Sequence, residues 1–421
     1  MTRPTIRCLI YPRLAFALLA AILVSRAAHA QTFQVLHNFT GGRDGANPDN
    51  GLTIDRAGNL YGTASAGGNQ VAGCGNGFGT AGCGAVFELA RAGSGRILKP
   101  LYDFQGGNDF GAPASVVVGP DGALYGISKG AGNCVNLYMC GAVFRLAPPP
   151  TRCAGFTCDW QETVLHQFSG MPDGSNASSP LIFDSAGNMY GVTFFGGGNN
   201  VGAVYEISPG NGGWTESVIY SFSQNNQGFG TALPDGPLAI DPVGNLYGAA
   251  YCNQTLSCFY GAVWQLQPSQ SGWILNSLYQ FNGFDGYAPI GVIRDSAGNV
   301  YGVSTGAAGN DSGNIYELSP SNGGWTYSLV YDFGFEDNAS GLVMDSAGNL
   351  YGVNSSQFDD GYVFKLTRSG DSWTLSTLHT FHGADGAAPY GTLVFDNAGN
   401  LYGTTESGGT HGYGVIWEIT P

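Results

Sequence analysis

The sequence predicts an all-β fold, a seven-bladed β-propeller with four antiparallel strands per blade, on three observations. One short block recurs seven times, each copy carries four strand-like pieces, and the copies are out of phase with the ends of the chain. The block is D-R-A-G-N-L-Y-G at Asp55 to Gly62, returning from Asp184, Asp241, Asp295, Asp345 and Asp396, with a compressed P-D-G-A-L-Y-G ending at Gly126. Its tyrosines are Tyr61, Tyr125, Tyr190, Tyr247, Tyr301, Tyr351 and Tyr402, spaced 50 to 65 residues apart. That period belongs to a propeller or a solenoid.

The first piece of each copy is a short apolar run, such as Val116-Val117-Val118 or Leu393-Val394-Phe395, which suits a strand buried on both faces. The turn D-x-A-G-N follows, its Asp able to accept from nearby amides and its Gly supplying positive φ. The second piece is N-L-Y-G-T. We expect the Gly after each Tyr to leave room for a neighbouring backbone. The third piece alternates, as in A-V-F-E-L at Ala85 to Leu89, and its period of two turns one face to the core. The fourth ends in Tyr or His, a spacer and Phe, as in Leu101-Tyr102-Asp103-Phe104 and Leu165-His166-Gln167-Phe168. Four antiparallel strands make one propeller blade.

In five copies a Trp stands six residues before the Tyr or His: Trp160, Trp214, Trp273, Trp325 and Trp373. An even offset predicts that both rings share one face of the strand. We expect them to fill the space between blades, with stacking on a sugar as the alternative. Phase then separates a ring from an open solenoid. The last copy stops after its third strand, Val415 to Ile419, while Val35-Leu36-His37-Asn38-Phe39 matches a fourth strand ahead of the first copy. Pairing the two would close the ring and remove two exposed sheet edges.

The D-x-x-G-N-x-Y-G blocks, the [VI]-[FYW]-[EKRQ]-[LI] strands and the L-[YH]-x-F-x-G-x-D-G segments together resemble the GloVer-type tandem repeats of exported bacterial proteins. The resemblance covers about 33–421. It implies a β-propeller and export, and it brings no activity and no catalytic residue. Some members of that family end in sorting anchors, whereas this chain ends at its last blade.

Residues 1–30 read as a signal peptide, leaving 31–421 as a single domain. Arg3, Arg7 and Arg13 precede an apolar run from Leu14 to Val24, and Ala28-His29-Ala30 offers a cleavage site. The run is too short to span a bilayer, which takes about twenty residues, so no membrane insertion is expected after cleavage. Release to the periplasm or the extracellular medium follows. Four basic residues leave with the signal, so the domain holds eleven Lys and Arg against thirty Asp and Glu, a net charge of −19. That field opposes nucleic-acid binding. Eight cysteines remain as close neighbours, Cys74 with Cys83, Cys134 with Cys140, Cys153 with Cys158, and Cys252 with Cys258. In an exported protein an even count predicts disulfides, with local pairing the simplest connectivity.

For function, the sequence offers a second recurring Asp after the fourth strand: Asp44, Asp109, Asp173, Asp235, Asp285, Asp337 and Asp385. If all seven reached one face near the axis they could hold calcium, a hard cation that takes several oxygen ligands. The plainer reading is Asp-Gly turn chemistry repeated with the blade. No other cofactor is expected. His37, His166 and His379 fill the slot that holds Tyr in other copies, and no H-E-x-x-H, G-x-S-x-G or P-loop occurs. The expected function is a monomeric, secreted binding scaffold for an extracellular or envelope polysaccharide or a protein, its second-to-third strand loops forming the variable surface. A carbohydrate-active hydrolase or lyase using rim carboxylates is the alternative.

Overall fold

The computed structural model describes residues 31–69, 82–106, 111–129, 141–149, 160–177, 179–223, 233–251, 260–306, 313–334, 337–356 and 359–421. The signal segment 1–30 lies outside them. Seven antiparallel sheets stand around one axis. Blade one is Leu52–Ile54, Leu60–Ala64, Ala85–Ala92 and Gly95–Asp103, hydrogen-bonded in that order from the innermost strand to the outermost. Blades two to six repeat this order. In blade three the inner strand is split into Ser175–Ala177 and Ile182–Phe183, with Pro180 between them, a residue that has no N–H for the ladder.

Blade seven takes its three inner strands from Ala387–Phe395, Leu401–Ser407 and Val415–Thr420, and its outer strand from Thr32–Asn38. Phe33 lies opposite Ile419 and Val35 opposite Trp417. The ring closes where the phase of the repeats requires.

The cores lie between blades. Tyr190 and Val192 of blade three pack with Leu246, Trp264 and Leu266 of blade four, and the closing seam is built alike from Tyr402 and Ile416 against Leu52, Leu60 and Phe87. Burial of each such side chain contributes about 1.5–3 kcal/mol, so every blade stabilises two neighbours.

The third-strand aromatic is fully buried in every blade: Phe87, Phe144, Tyr205, Trp264, Tyr316, Phe364 and Trp417. Its cross-strand partner is the Gly of the L-Y-G motif, as Gly62 is for Phe87. A Cβ on Gly62 would come within 2.6 Å of Phe87 Cζ. What approaches that Gly first is therefore a ring of its own blade, and only at positions such as Gly126 does inner-strand backbone, here Ser115 O, come equally near.

The tryptophans do sit between blades, but not on the face shared with the following Tyr or His. Trp373 of blade six meets Tyr301 of blade five at 6.3 Å between ring centroids, while His379 of the same strand stacks on Phe33 of blade seven at 3.5 Å. The cause is a β-bulge. The outer-strand register slips once in every blade, between Val363 and Phe364 in this one. The extra residue turns an even offset into opposite faces. Trp160, Trp214, Trp273 and Trp325 likewise meet Tyr61, Tyr125, Tyr190 and Tyr247 of the blade before. At the seam Arg96 takes the Trp position and its guanidinium lies 4.8 Å from the Tyr402 ring centroid.

Candidate functional site

An antiparallel blade sends its outer-to-inner and second-to-third strand connections to one end of the ring, and its two remaining turns to the other. At the second end the D-x-A-G-N-x-Y signature is a closed hydrogen-bond set. Asp184 accepts from Asn188 N at 2.9 Å, Asn188 Nδ2 at 2.8 Å and Tyr190 OH at 3.2 Å. The same trio forms at Asp55, Asp241, Asp295, Asp345 and Asp396. With its donors and acceptors paired internally, this end is built for rigidity.

The first end holds the outer-to-inner and second-to-third connections. Inner strands of six blades begin there in strained backbone, with Asn47, Ala112, Asn176, Leu233, Ala288 and Ala388 at φ between 49° and 62°. Bonds to the preceding blade hold most of them: Ala112 N donates to Cys83 O at 2.8 Å, Leu233 N to Val201 O at 2.8 Å, and Ala388 N to Asp360 O at 3.0 Å. Below them the inner strands touch through glycine. A Cβ on Gly51 would fall 2.2 Å from Thr392 O, and one on Gly341 2.0 Å from Gly391 O. These contacts fix a narrow axial channel.

The channel encloses a cavity of about 640 Å³ to which all seven blades contribute. Asn50, Asp235, Ile290, Ser340 and Tyr390 each precede an inner-strand Gly and line it, joined by Lys129, which follows the second strand of blade two. Ser340 Oγ is buried in the wall without a hydrogen-bond partner. Asp49, next in the chain to the lining residue Asn50, has its carboxylate against the Asn50 amide. Burial pushes the Asp49 carboxyl up to about 6; Lys129 pulls it down and Glu406 pushes the same way as burial. The Tyr390 phenol is also raised, first by burial and then by the charges of Asp235, Asp49 and Glu406. Asp235, Lys129 and Tyr390 thus line the cavity together, with Asp49 and Glu406 near enough to act on the phenol, an uneven set that the repeat frame does not require.

The seven aspartates singled out by sequence divide. Asp44, Asp173, Asp285 and Asp385 close their own turns. Asp44 accepts from Thr40 N at 2.9 Å and lies 3.0 Å from His37 Nε2. Asp173 lies 3.1 Å from His166 Nε2 and bonds Ser169, Asp285 bonds Tyr279 OH and Asn282 N, and Asp385 lies 3.0 Å from His379 Nε2. These carboxylates thus sit beside outer strands, away from the axis. Asp235 and Asp337 are placed differently, Asp235 after Pro234 within the inner strand Pro234–Ile240 and Asp337 at the head of Asp337–Met344. Asp109 lies outside the described residues. Of the set, Asp235 lines the channel. Among the described residues no group of three or more His, Cys, Asp or Glu is arranged to hold a metal ion. Cys83 is buried and disulfide-bonded; Cys74, Cys134, Cys140, Cys153, Cys158, Cys252 and Cys258 lie outside the described residues.

The model of the Gloeobacter/Verrucomicrobia repeat matches residues 155–355 and 234–421. The chain belongs to this repeat family. No curated protein matches this Gloeobacter/Verrucomicrobia repeat chain. Among solved structures it is similar to an ulvan lyase of polysaccharide lyase family PL25, bound to -[GlcA(1-4)Rha3S]-, with 10% identity over 89% of this chain and 94% of that one and a TM-score of 0.55. An ancestral GH74 enzyme is 12% identical over 89% of this chain, a match spanning 48% of the enzyme, at a TM-score of 0.52. A protein of unknown function from Dyadobacter fermentans is 12% identical over 92% of this chain and 98% of that one, at 0.48. At such identities the likeness is one of propeller fold.

Proposed function

We propose that this repeat protein is an exported glycan-binding scaffold that holds its ligand at the axial channel. The observation that carries this reading is the cavity itself, walled by all seven blades and lined by a phenol, a lysine, a carboxylate, amides and hydroxyls on rigid strands. Saccharides are recognised by such sets, in which aromatic faces meet C–H groups and fixed polar groups bond hydroxyls. Disulfide-pinned loops at the same end would extend the surface, and cleavage after Ala30 would release the domain. A glycan array tests the proposal, read with the wild type and with Tyr390→Ala and Asp235→Ala. Binding that both substitutions abolish is expected; an array blank for the wild type, or binding unchanged in both variants, would overturn it.

Asp49 favours a second reading. A carboxyl at about 6 beside other acids at a channel mouth has the character of a general acid, as hydrolysis or elimination of a polysaccharide requires. Release of new reducing ends from a polysaccharide panel, lost in Asp49→Asn, would support it. No turnover on any polymer that the array shows to bind would eliminate it.

A further inference from the structure

The charge of the channel mouth sets the class of glycan, an inference that rests on the glycan reading above. Among the described residues, acidic side chains on the connections and strand ends at this end of the ring outnumber the two basic ones, Arg43 and Lys129, several-fold. The sequence supplies no further Lys or Arg to any of those connections. Arg43 is paired with Asp103 at 3.2 Å, on the outer strand of blade one. Other basic residues are tied elsewhere, Arg91 to Asp396 at 3.0 Å, Arg145 to Asp121 at 2.7 Å and Arg368 to Glu317 at 3.3 Å. Lys129 acts on Asp49, while Asp235, Asp49 and Glu406 all act on Tyr390, and Lys129, Asp235 and Tyr390 line the cavity itself.

A low-dielectric opening lined by one sign of charge focuses its field, raising the local concentration of opposite charge and excluding like charge. A uronate or sulfated polymer would bring its charges against three carboxylates, with one ammonium to offset them. A free amine would meet two or three carboxylates at once. Neutral sugars would gain nothing from the field.

We propose that the channel binds an amine-bearing oligosaccharide, one with unacetylated amino-sugar units, in preference to neutral and anionic glycans. Its ammonium groups would lie between Asp235 and Glu406, with Ser340 Oγ and the Asn50 side chain facing ring hydroxyls. The preference would weaken with salt, as contacts near the surface are screened beyond about 10 Å at 0.1 M.

Calorimetry with three oligomers of equal length tests this at mildly acidic pH: chitosan oligosaccharide, its fully N-acetylated counterpart and oligogalacturonate. Affinity for the amine-bearing oligomer is expected to be about tenfold or more above that for the acetylated one, corresponding to roughly 1.4 kcal/mol. Oligogalacturonate should be the weakest, and Asp235→Asn with Glu406→Gln should erase the preference while Tm stays near that of the wild type. Equal or tighter binding of oligogalacturonate, or an amine preference that survives both substitutions, would overturn the inference and leave a glycan-binding channel standing. Absence of binding by all three, together with a blank glycan array, would remove the channel reading itself.

Discussion

At the residue scale, the repeat explains some side chains and not others. Tyr205 and Tyr316 are fully buried, their hydroxyls without partners, at a position where Phe87, Phe144 and Phe364 stand in other blades. Removing a buried hydroxyl that has no partner recovers its desolvation penalty. Tyr205→Phe and Tyr316→Phe should therefore leave stability unchanged or raise it by up to about 1 kcal/mol each, read from the denaturant midpoint at constant slope. The acids behave in two opposite ways with pH. Burial alone would raise Asp44 and Asp173, but hydrogen bonds from His37 and Thr40, and from His166 and Ser169, outweigh it and hold both below 3.8. Their stabilisation is complete above that value and fades as pH falls through the lower folded one. Asp49 is raised from 3.8 to about 6, so its contribution is complete below 3.8 and lost as pH rises through 6. Asp49→Asn should accordingly melt above the wild type at pH 8, by on the order of 1–2 °C, with the gap gone at pH 4. A gap that does not vary with pH would show that Asp49 is not the group responsible.

At the scale of strands and turns, close approach between blades decides which substitutions are tolerated. Gly361 precedes the third strand of blade six at φ +86°, and a Cβ there would lie 2.4 Å from Pro389 Cδ of blade seven and 2.6 Å from Asn354 O. Backbone strain and backbone contact act together, so Gly361→Ala should lose about 2–4 kcal/mol. Gly187, also at positive φ but with nothing within 4 Å, should lose only about 1 kcal/mol on the same change, from conformation alone. Equal losses at the two sites would mean that the joint between blades gives way easily. This scale also shows what the sequence made legible. Strand number, order and burial follow from periodicity, since Val86, Phe87 and Leu89 of one third strand carry the same pattern in all seven copies. The bulge was not legible in that pattern, because the extra residue, here Leu378 between Thr377 and His379, reads as one more alternating strand position; the predicted shared face of Trp373 and His379 failed for this reason. Asp235 was grouped with the turn aspartates by its D-G neighbour alone, although it follows its Pro where Asp285 precedes Pro289 by four residues. The channel residues had a signal that went unused. Asn50, Asp235, Ile290, Ser340 and Tyr390 vary in chemistry before an unvarying Gly, which is how a fixed frame displays positions that are free to serve a ligand.

For the whole molecule, closure makes stability collective. Each core is shared by two blades, so no blade keeps its buried surface if the ring opens. Removing residues 31–38 would uncover Val415–Thr420 along its full length and expose part of the cluster around Trp417, Val415 and Ile419, where Phe33 and Val35 now pack. The shortened chain should melt at least about 10 °C lower and self-associate through the bared edge, measured by calorimetry and light scattering. A shortened chain that stays monomeric with an unchanged melting profile would mean that the strand is an accessory to the ring.

The Thr32–Asn38 ladder also imposes a timetable. During synthesis this segment emerges ahead of the blades, yet its partner Val415–Thr420 is made after every other described strand. Six blades can grow by adding onto their predecessors, but the seventh must wait for both extremities to be present at once. A product cut short before Val415 therefore keeps the Thr32–Asn38 segment with nowhere to dock, and the cell meets it as an unfinished circle rather than as a smaller propeller.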